Sequence, residues 1–133
     1  MQLDPSSLVG LWSLEREIDD RRRGEVSRIS GTLTLTCAGE RVQWEEAMTW
    51  FRPEGGVDVR RALWLVAGDD GWWVHFEDGR PFHPWRPGEE VVHPCAPDTY
   101  RGLVTGTPQS WSVTWDATGP GKDYSMVTRL SRH

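Results

Sequence analysis

Lysine is all but absent from this chain of 133 residues: Lys122 stands alone against fourteen arginines. Amine-based covalent chemistry therefore has one candidate position. Cysteine is nearly as scarce. Cys37 and Cys95 have the spacing of neither a metal site nor a dithiol motif, and a bridge between them requires neighbouring strands. With no apolar segment at the amino end, the chain reads as cytoplasmic with reduced thiols. No stretch approaches the roughly 18 apolar residues of a membrane span, so no membrane partner is expected. The formal net charge of −5 lacks the basic excess of a nucleic-acid surface, and no nucleic-acid partner is expected either. The run Arg21-Arg22-Arg23 follows Asp19-Asp20 and reads as a solvated turn. Glycine-rich phosphate loops, nucleophile elbows and HExxH pairs are also missing, which removes the motif-based case for phosphoryl transfer, esterase or metalloprotease chemistry.

Against these shortages stand nine tryptophans: Trp12, Trp44, Trp50, Trp64, Trp72, Trp73, Trp85, Trp111 and Trp115. Each indole buries a large apolar area and keeps one N–H that wants a partner, so nine of them call for polar tips within the core or for a cavity with aromatic walls. Their context is strand-like. Gly10 to Ile18 alternates apolar and polar residues, and further strands are expected at 28–36, 41–51, 58–67, 72–77, 90–95, 100–105, 110–118 and 123–130. Short separators rich in Gly and Asp divide them, where positive φ is cheap. Asp78-Gly79-Arg80-Pro81 closes one more hairpin. The pattern predicts an all-β fold: a single closed antiparallel up-and-down β-barrel of eight to ten strands over residues 1–133, with a short helical turn at Pro5-Ser6-Ser7. A barrel of this size has room for one small ligand. It is expected to be a monomer or a homodimer.

Period two also assigns faces. If Trp12 and Leu14 point inward, so does Arg16; if Trp44, Met48 and Trp50 do, so does Glu46. Two readings follow, an internal Arg16–Glu46 ion pair that fixes the barrel, or a polar end to a binding cavity. Tyr124 shares a face with Met126 and Leu130. His75 is expected to face outward.

The richest polar stretch runs from Phe82-His83-Pro84-Trp85 to His93-Pro94-Cys95 and on through Asp98 and Tyr100 to Arg101. If the hairpin folds back, His83 and His93 meet near a barrel mouth as an acid–base pair or as imidazole ligands. A zinc site lacks a fourth ligand nearby, so no metal is expected. Haem held by one histidine needs no motif and stays open as a cofactor. The tight turn Gly119-Pro120-Gly121 delivers Lys122, a base or nucleophile if desolvated and a solvated partner of Asp123 otherwise. The leading expectation is a binding protein for a small, largely apolar or aromatic molecule. Its candidate ligand residues are Trp12, Arg16, Trp44, Glu46, Trp64, His83, His93, Cys95, Tyr100, Trp115 and Tyr124. The alternative is a small isomerase, cyclase or hydrolase using His83 or His93 with Tyr100 or Lys122.

Gly10-Leu11-Trp12 after a short turn resembles the Gly-x-Trp signature of calycins, the lipocalin and fatty-acid-binding barrels. Asp78-Gly79-Arg80-Pro81-Phe82-His83, His93-x-Cys95 with Asp98 and Tyr100, and Trp115 leading into Gly119-Pro120-x-Lys122-Asp123-Tyr124 resemble a bacterial family called domain of unknown function 6314. The resemblance runs from Leu8 to Arg129. It implies a lipocalin-like barrel in which the first-strand Trp12 closes one end and Arg129 or Arg132 packs across it. It implies no activity or ligand.

Overall fold

The computed structural model describes residues 3–133. Five strands occupy the first half: β1 (Gly10–Asp20), β2 (Glu25–Ala38), β3 (Arg41–Arg52), β4 (Gly55–Gly68) and β5 (Gly71–Phe76). Five more follow: β6 (Pro81–Pro84), β7 (Val91–Cys95), β8 (Asp98–Thr107), β9 (Ser110–Gly119) and β10 (Lys122–Arg132). They form one antiparallel sheet in the order β6-β5-β4-β3-β2-β1-β10-β9-β8-β7. Because β1 pairs with both β2 and β10, the sheet curls into a nearly closed up-and-down barrel.

The single seam falls between β6 and β7, which are consecutive in sequence but share no ladder. Single bonds cross it instead. The His93 ring nitrogen Nδ1 lies 2.8 Å from the Phe82 carbonyl oxygen, and Gly88 N–H donates to the Val104 carbonyl at 2.7 Å.

The alternation seen in the sequence is the alternation in the walls. Trp12, Leu14 and Arg16 of β1 are buried in series, as are Val42, Trp44, Glu46 and Met48 of β3. The amino-terminal 3-10 turn (Pro5–Leu8) plugs one end with Leu3, Pro5 and Leu8. Asp4 caps it, accepting from Ser6 N–H at 2.9 Å.

Tryptophan tips meet this plug. Trp12 Nε1 donates to the Leu8 carbonyl at 2.8 Å, and Trp85 Nε1 to the Leu3 carbonyl at 2.7 Å. Of the two arginines expected to pack across Trp12, Arg132 does so: its guanidinium lies 4.1 Å from the indole centroid. It also donates to the carbonyls of Val9, Ser7 and Pro108. A planar fork of five donors suits this task, satisfying carbonyls that no strand pairs.

Above the plug, Trp111 sits edge-to-face with Trp12, Trp44 and Trp85 at 5.6, 5.8 and 5.9 Å. These four indoles and the leucines around them are a packed core and not the walls of a roomy cavity, although Trp44 and Trp85 border a void of about 20 Å³. Trp64 is corrected as well. It shares β4 with the buried Leu63 and Leu65 but has the opposite parity, so it lies on the outer face with Arg41 stacked over it at 4.0 Å. Cys37 and Cys95 are free and exposed, on strands that are not neighbours in the sheet.

Candidate functional site

Strand lengths create the site. β1 to β4 and β8 to β10 run 10 to 14 residues, but β5, β6 and β7 have only six, four and five. The first β4 residue paired to β5 is Leu63, opposite Phe76, so the earlier half of β4 has no neighbour on that side. The barrel wall is therefore notched away from the plug. In the notch lies a pocket of about 840 Å³, bordered by Arg60, Arg61 and Leu63 of β4, Phe76, Phe82, His93, Cys95 and Tyr100. Glu46 forms part of its floor, and Glu45, Glu77, Asp78 and Arg80 its charged rim.

Beneath this floor is the ion cluster whose two members period two had placed on one face. Arg16 grips Glu46 through two nitrogens at 2.8 and 3.2 Å. Arg61, opposite Glu46 in the β3–β4 register, adds contacts of 3.0 and 3.1 Å. Trp44 Nε1 donates to the same carboxylate at 3.1 Å, and Arg16 Nε donates to Thr128 Oγ1 at 2.7 Å. Burial alone would raise the Glu46 pKa, but the charges and hydrogen bonds of Arg61 and Arg16 outweigh it and lower it to about 2. Two cations on one carboxylate leave the cluster with one net positive charge, directly below the pocket.

Aromatic rings connect the pocket to the interior. Phe76 stacks on Phe82 at 4.5 Å, and Phe82 stacks on Trp115 at 5.2 Å. The Trp115 ring lies against the Gly102 backbone, where an added Cβ would meet it at 2.6 Å. Both histidines stand edge-on to Phe82, His83 at 4.7 Å on the inner side and His93 at 5.0 Å by the pocket. The two histidines thus share one phenyl ring as a neighbour, on different sides, rather than facing each other as a pair.

His83 is buried, and desolvation holds its pKa down to about 4. Its Nδ1 faces the Pro84 carbonyl at 2.8 Å. The space beside it, shared with Arg16, Arg61, Thr128 and Trp115, is only about 20 Å³, room for about one water.

Tyr100 closes the far side. Lys122 Nζ donates to its oxygen at 2.6 Å and lies 3.3 Å from Asp98 Oδ2. The hydrogen bonds to Tyr100 and Asp98 push the Lys122 pKa up, so this lysine is an ammonium and not an amine nucleophile. Tyr124 lies near the same group, its own pKa raised mainly by burial.

Of the sequence-derived candidates, His93, Cys95, Tyr100 and Glu46 line the pocket. Arg16, Trp44, His83 and Trp115 line the small void below. Lys122 acts on Tyr100 from behind, and Tyr124 lies near it. Trp12 and Trp64 belong to neither space. Sequence reasoning missed Arg61, Phe76 and Phe82. The parity of Arg61 with Leu63 and Leu65 carried the signal for the first; the notch that exposes the two phenylalanines depends on strand lengths that turn signals fix poorly.

These features define a class: a nearly closed ten-stranded antiparallel barrel, plugged at one end and notched at the other over a charged floor. The chain belongs to the family of unknown function DUF6314, whose model matches residues 8–132. A search of curated proteins finds no match.

Proposed function

We propose that the protein binds a small, largely aromatic molecule in the side pocket, with its polar end directed to the arginine-rich floor. The observation that carries this reading is the pocket itself. It has the volume of a small-molecule site and apolar rings on one side, with a few oriented polar groups on the other. Phe76 and Phe82 border it with apolar rings, Arg61 and Arg60 offer cations, and Tyr100 offers a phenol held in place by Lys122. The packing of Arg132 over Trp12 supports kinship with calycin barrels. Two exposed free thiols support a reducing compartment such as the cytoplasm. Among the described residues no helix is long and apolar enough to cross a membrane.

Tryptophan fluorescence tests the reading, because Trp115 stacks on Phe82. Titration with aromatic carboxylates is expected to quench emission saturably, and Phe82→Ala to weaken the binding. Absence of saturable quenching across a broad panel overturns it.

A second reading is proton-transfer catalysis of the isomerase, cyclase or hydrolase kind. It draws on His93 and Tyr100, whose rings lie 6.2 Å apart at the pocket edge. There, Lys122 would stabilise charge developing on the Tyr100 oxygen. Its signature is turnover of a bound ligand that Tyr100→Phe abolishes without loss of binding.

A further inference from the structure

We infer that a second copy of the chain pairs along the open edge of β4, antiparallel about a twofold axis at Val59. The inference goes beyond the reading of the pocket as a ligand site and does not rest on it. Residues 55–62 keep their ladder to β3, but β5 joins only from Leu63 onward. One side of this stretch therefore presents unpaired backbone N–H and C=O groups, a template for another strand.

Natural sheets blunt their edges with proline, bulges or very short strands. β6 and β7, which end the sheet, are blunted in this way: they are four and five residues long and carry Pro81, Pro84 and Pro94. The free stretch of β4 has no proline, and its ladder to β3 runs without a bulge. It is also uncovered, with Gly55, Gly56, Val57, Asp58 and Arg60 exposed.

Charge selects both the occupant and the register. Asp58 and Arg60 share the outer face of the strand, alternating with Val59 and Arg61. Neither has an ion pair among the described residues, and Asp58 makes only a 3.4 Å contact with Thr49 Oγ1. A twofold axis perpendicular to the sheet brings like faces together, so the pairing centres on one residue facing itself. Centred on Asp58, Arg60 or Arg61, it opposes like charges. Centred on Val57, it leaves Arg60 beyond the other strand, which starts at Gly55. Centred on Val59, it sets Asp58 of each copy opposite Arg60 of the other, a favourable cross-strand pair made twice.

The neighbouring rows fit the same register. Val59 meets its own copy, backed on each side by Met48 of β3. Gly56 faces Ala62, and these small residues leave room for Phe51, the β3 neighbour of Gly56, whose ring is 55% exposed. The added strand supplies wall that the notch lacks.

Sedimentation velocity of the purified chain over a concentration series tests this, with hydrogen–deuterium exchange at both ends of the series. The expected result is a reversible monomer–dimer equilibrium in which amide protection of residues 56–62 grows with concentration. Asp58→Arg makes the paired charges all cationic, and Arg60→Asp makes them all anionic. Each is expected to weaken dimerisation on the order of 30-fold, whereas an equal mixture of the two variants restores a heterodimer. Failure of the mixture to dimerise overturns the pairing, as does a dimer that both substitutions leave unchanged. A dimer protected elsewhere, around Val26 and Phe51 without residues 56–62, overturns it too. So does a wild type that stays monomeric to millimolar concentration, even where an unrelated extended peptide protects the same amides. The wild-type exchange measurement decides the matter even if a variant does not fold.

Discussion

The two ends of the barrel solve opposite problems with similar residues. At the plugged end, Trp12 and Trp85 direct their N–H groups to carbonyls of the amino-terminal segment, and Arg132 satisfies three more. Those polar tips are turned to backbone, whereas the buried Trp111 Nε1 between them has no hydrogen-bond partner among the described residues, and the indoles there are solid core. At the notched end, Arg16 and Arg61 converge on one carboxylate and aromatic rings lean on one another around open space. Arginine and aromatic rings seal the first end and furnish the second. The difference is made by the short strands β5 to β7, which stop before the wall is complete.

The sharpest way to break this comparison is at the floor. Glu46→Ala leaves two buried or half-buried guanidinium groups facing each other, and should destabilise by about 3–5 kcal/mol in chemical denaturation. A loss below about 1 kcal/mol would mean that solvent, not Glu46, neutralises the pair.

Acid should act in two steps. His83 has a folded-state pKa of about 4, depressed by burial from its ordinary 6.5, so the unfolded chain takes up the proton first. Stability is then lost as pH falls from about 6.5 to about 4, by on the order of 2–3 kcal/mol, and levels off below. Glu46, depressed to about 2 from 4.5, contributes stability above its unfolded pKa that is lost as pH falls from about 4.5 through about 2. Denaturation midpoints of His83→Phe against pH should lose the upper step and keep the lower.

Gly102→Ala comes next. A Cβ 2.6 Å from the Trp115 ring forces the ring off its seat and disturbs the stack on Phe82. A loss of about 1–3 kcal/mol together with altered tryptophan emission is expected; unchanged emission would detach Trp115 from the pocket. The smallest effect belongs to the plugged end. Arg132→Lys should lower stability by about 1 kcal/mol, measured by thermal melting, and leave ligand binding untouched.

Much of the plugged end and part of the floor were legible in the sequence. Period two alone put Arg16 and Glu46 on the inner face, and the first-strand tryptophan pointed to a late arginine that proved to be Arg132. The parity of Arg61 with Leu63 and Leu65 marked it as inward, but its pairing with Glu46 was not legible, because that depends on the β3–β4 register that sets the two opposite each other. The tryptophans misled for a related reason. Indoles line cavities and fill cores equally well, and only the edge-to-face packing around Trp111 decides between them. Trp64 could have been placed outside from its alternation with Leu63 and Leu65. The notch itself had no signature, since a missing stretch of strand leaves nothing in the sequence to read.

The nine indole N–H groups, observed by ¹⁵N–¹H NMR during titration with anilinonaphthalene sulfonate, test the division of the barrel most directly. A pocket at the notch and a solid core at the plug predict large shifts for Trp115 and Trp44, and none for Trp12 and Trp85. Shifts concentrated on Trp12, Trp85 and Trp111 would contradict that division and return the ligand site to the tryptophan core.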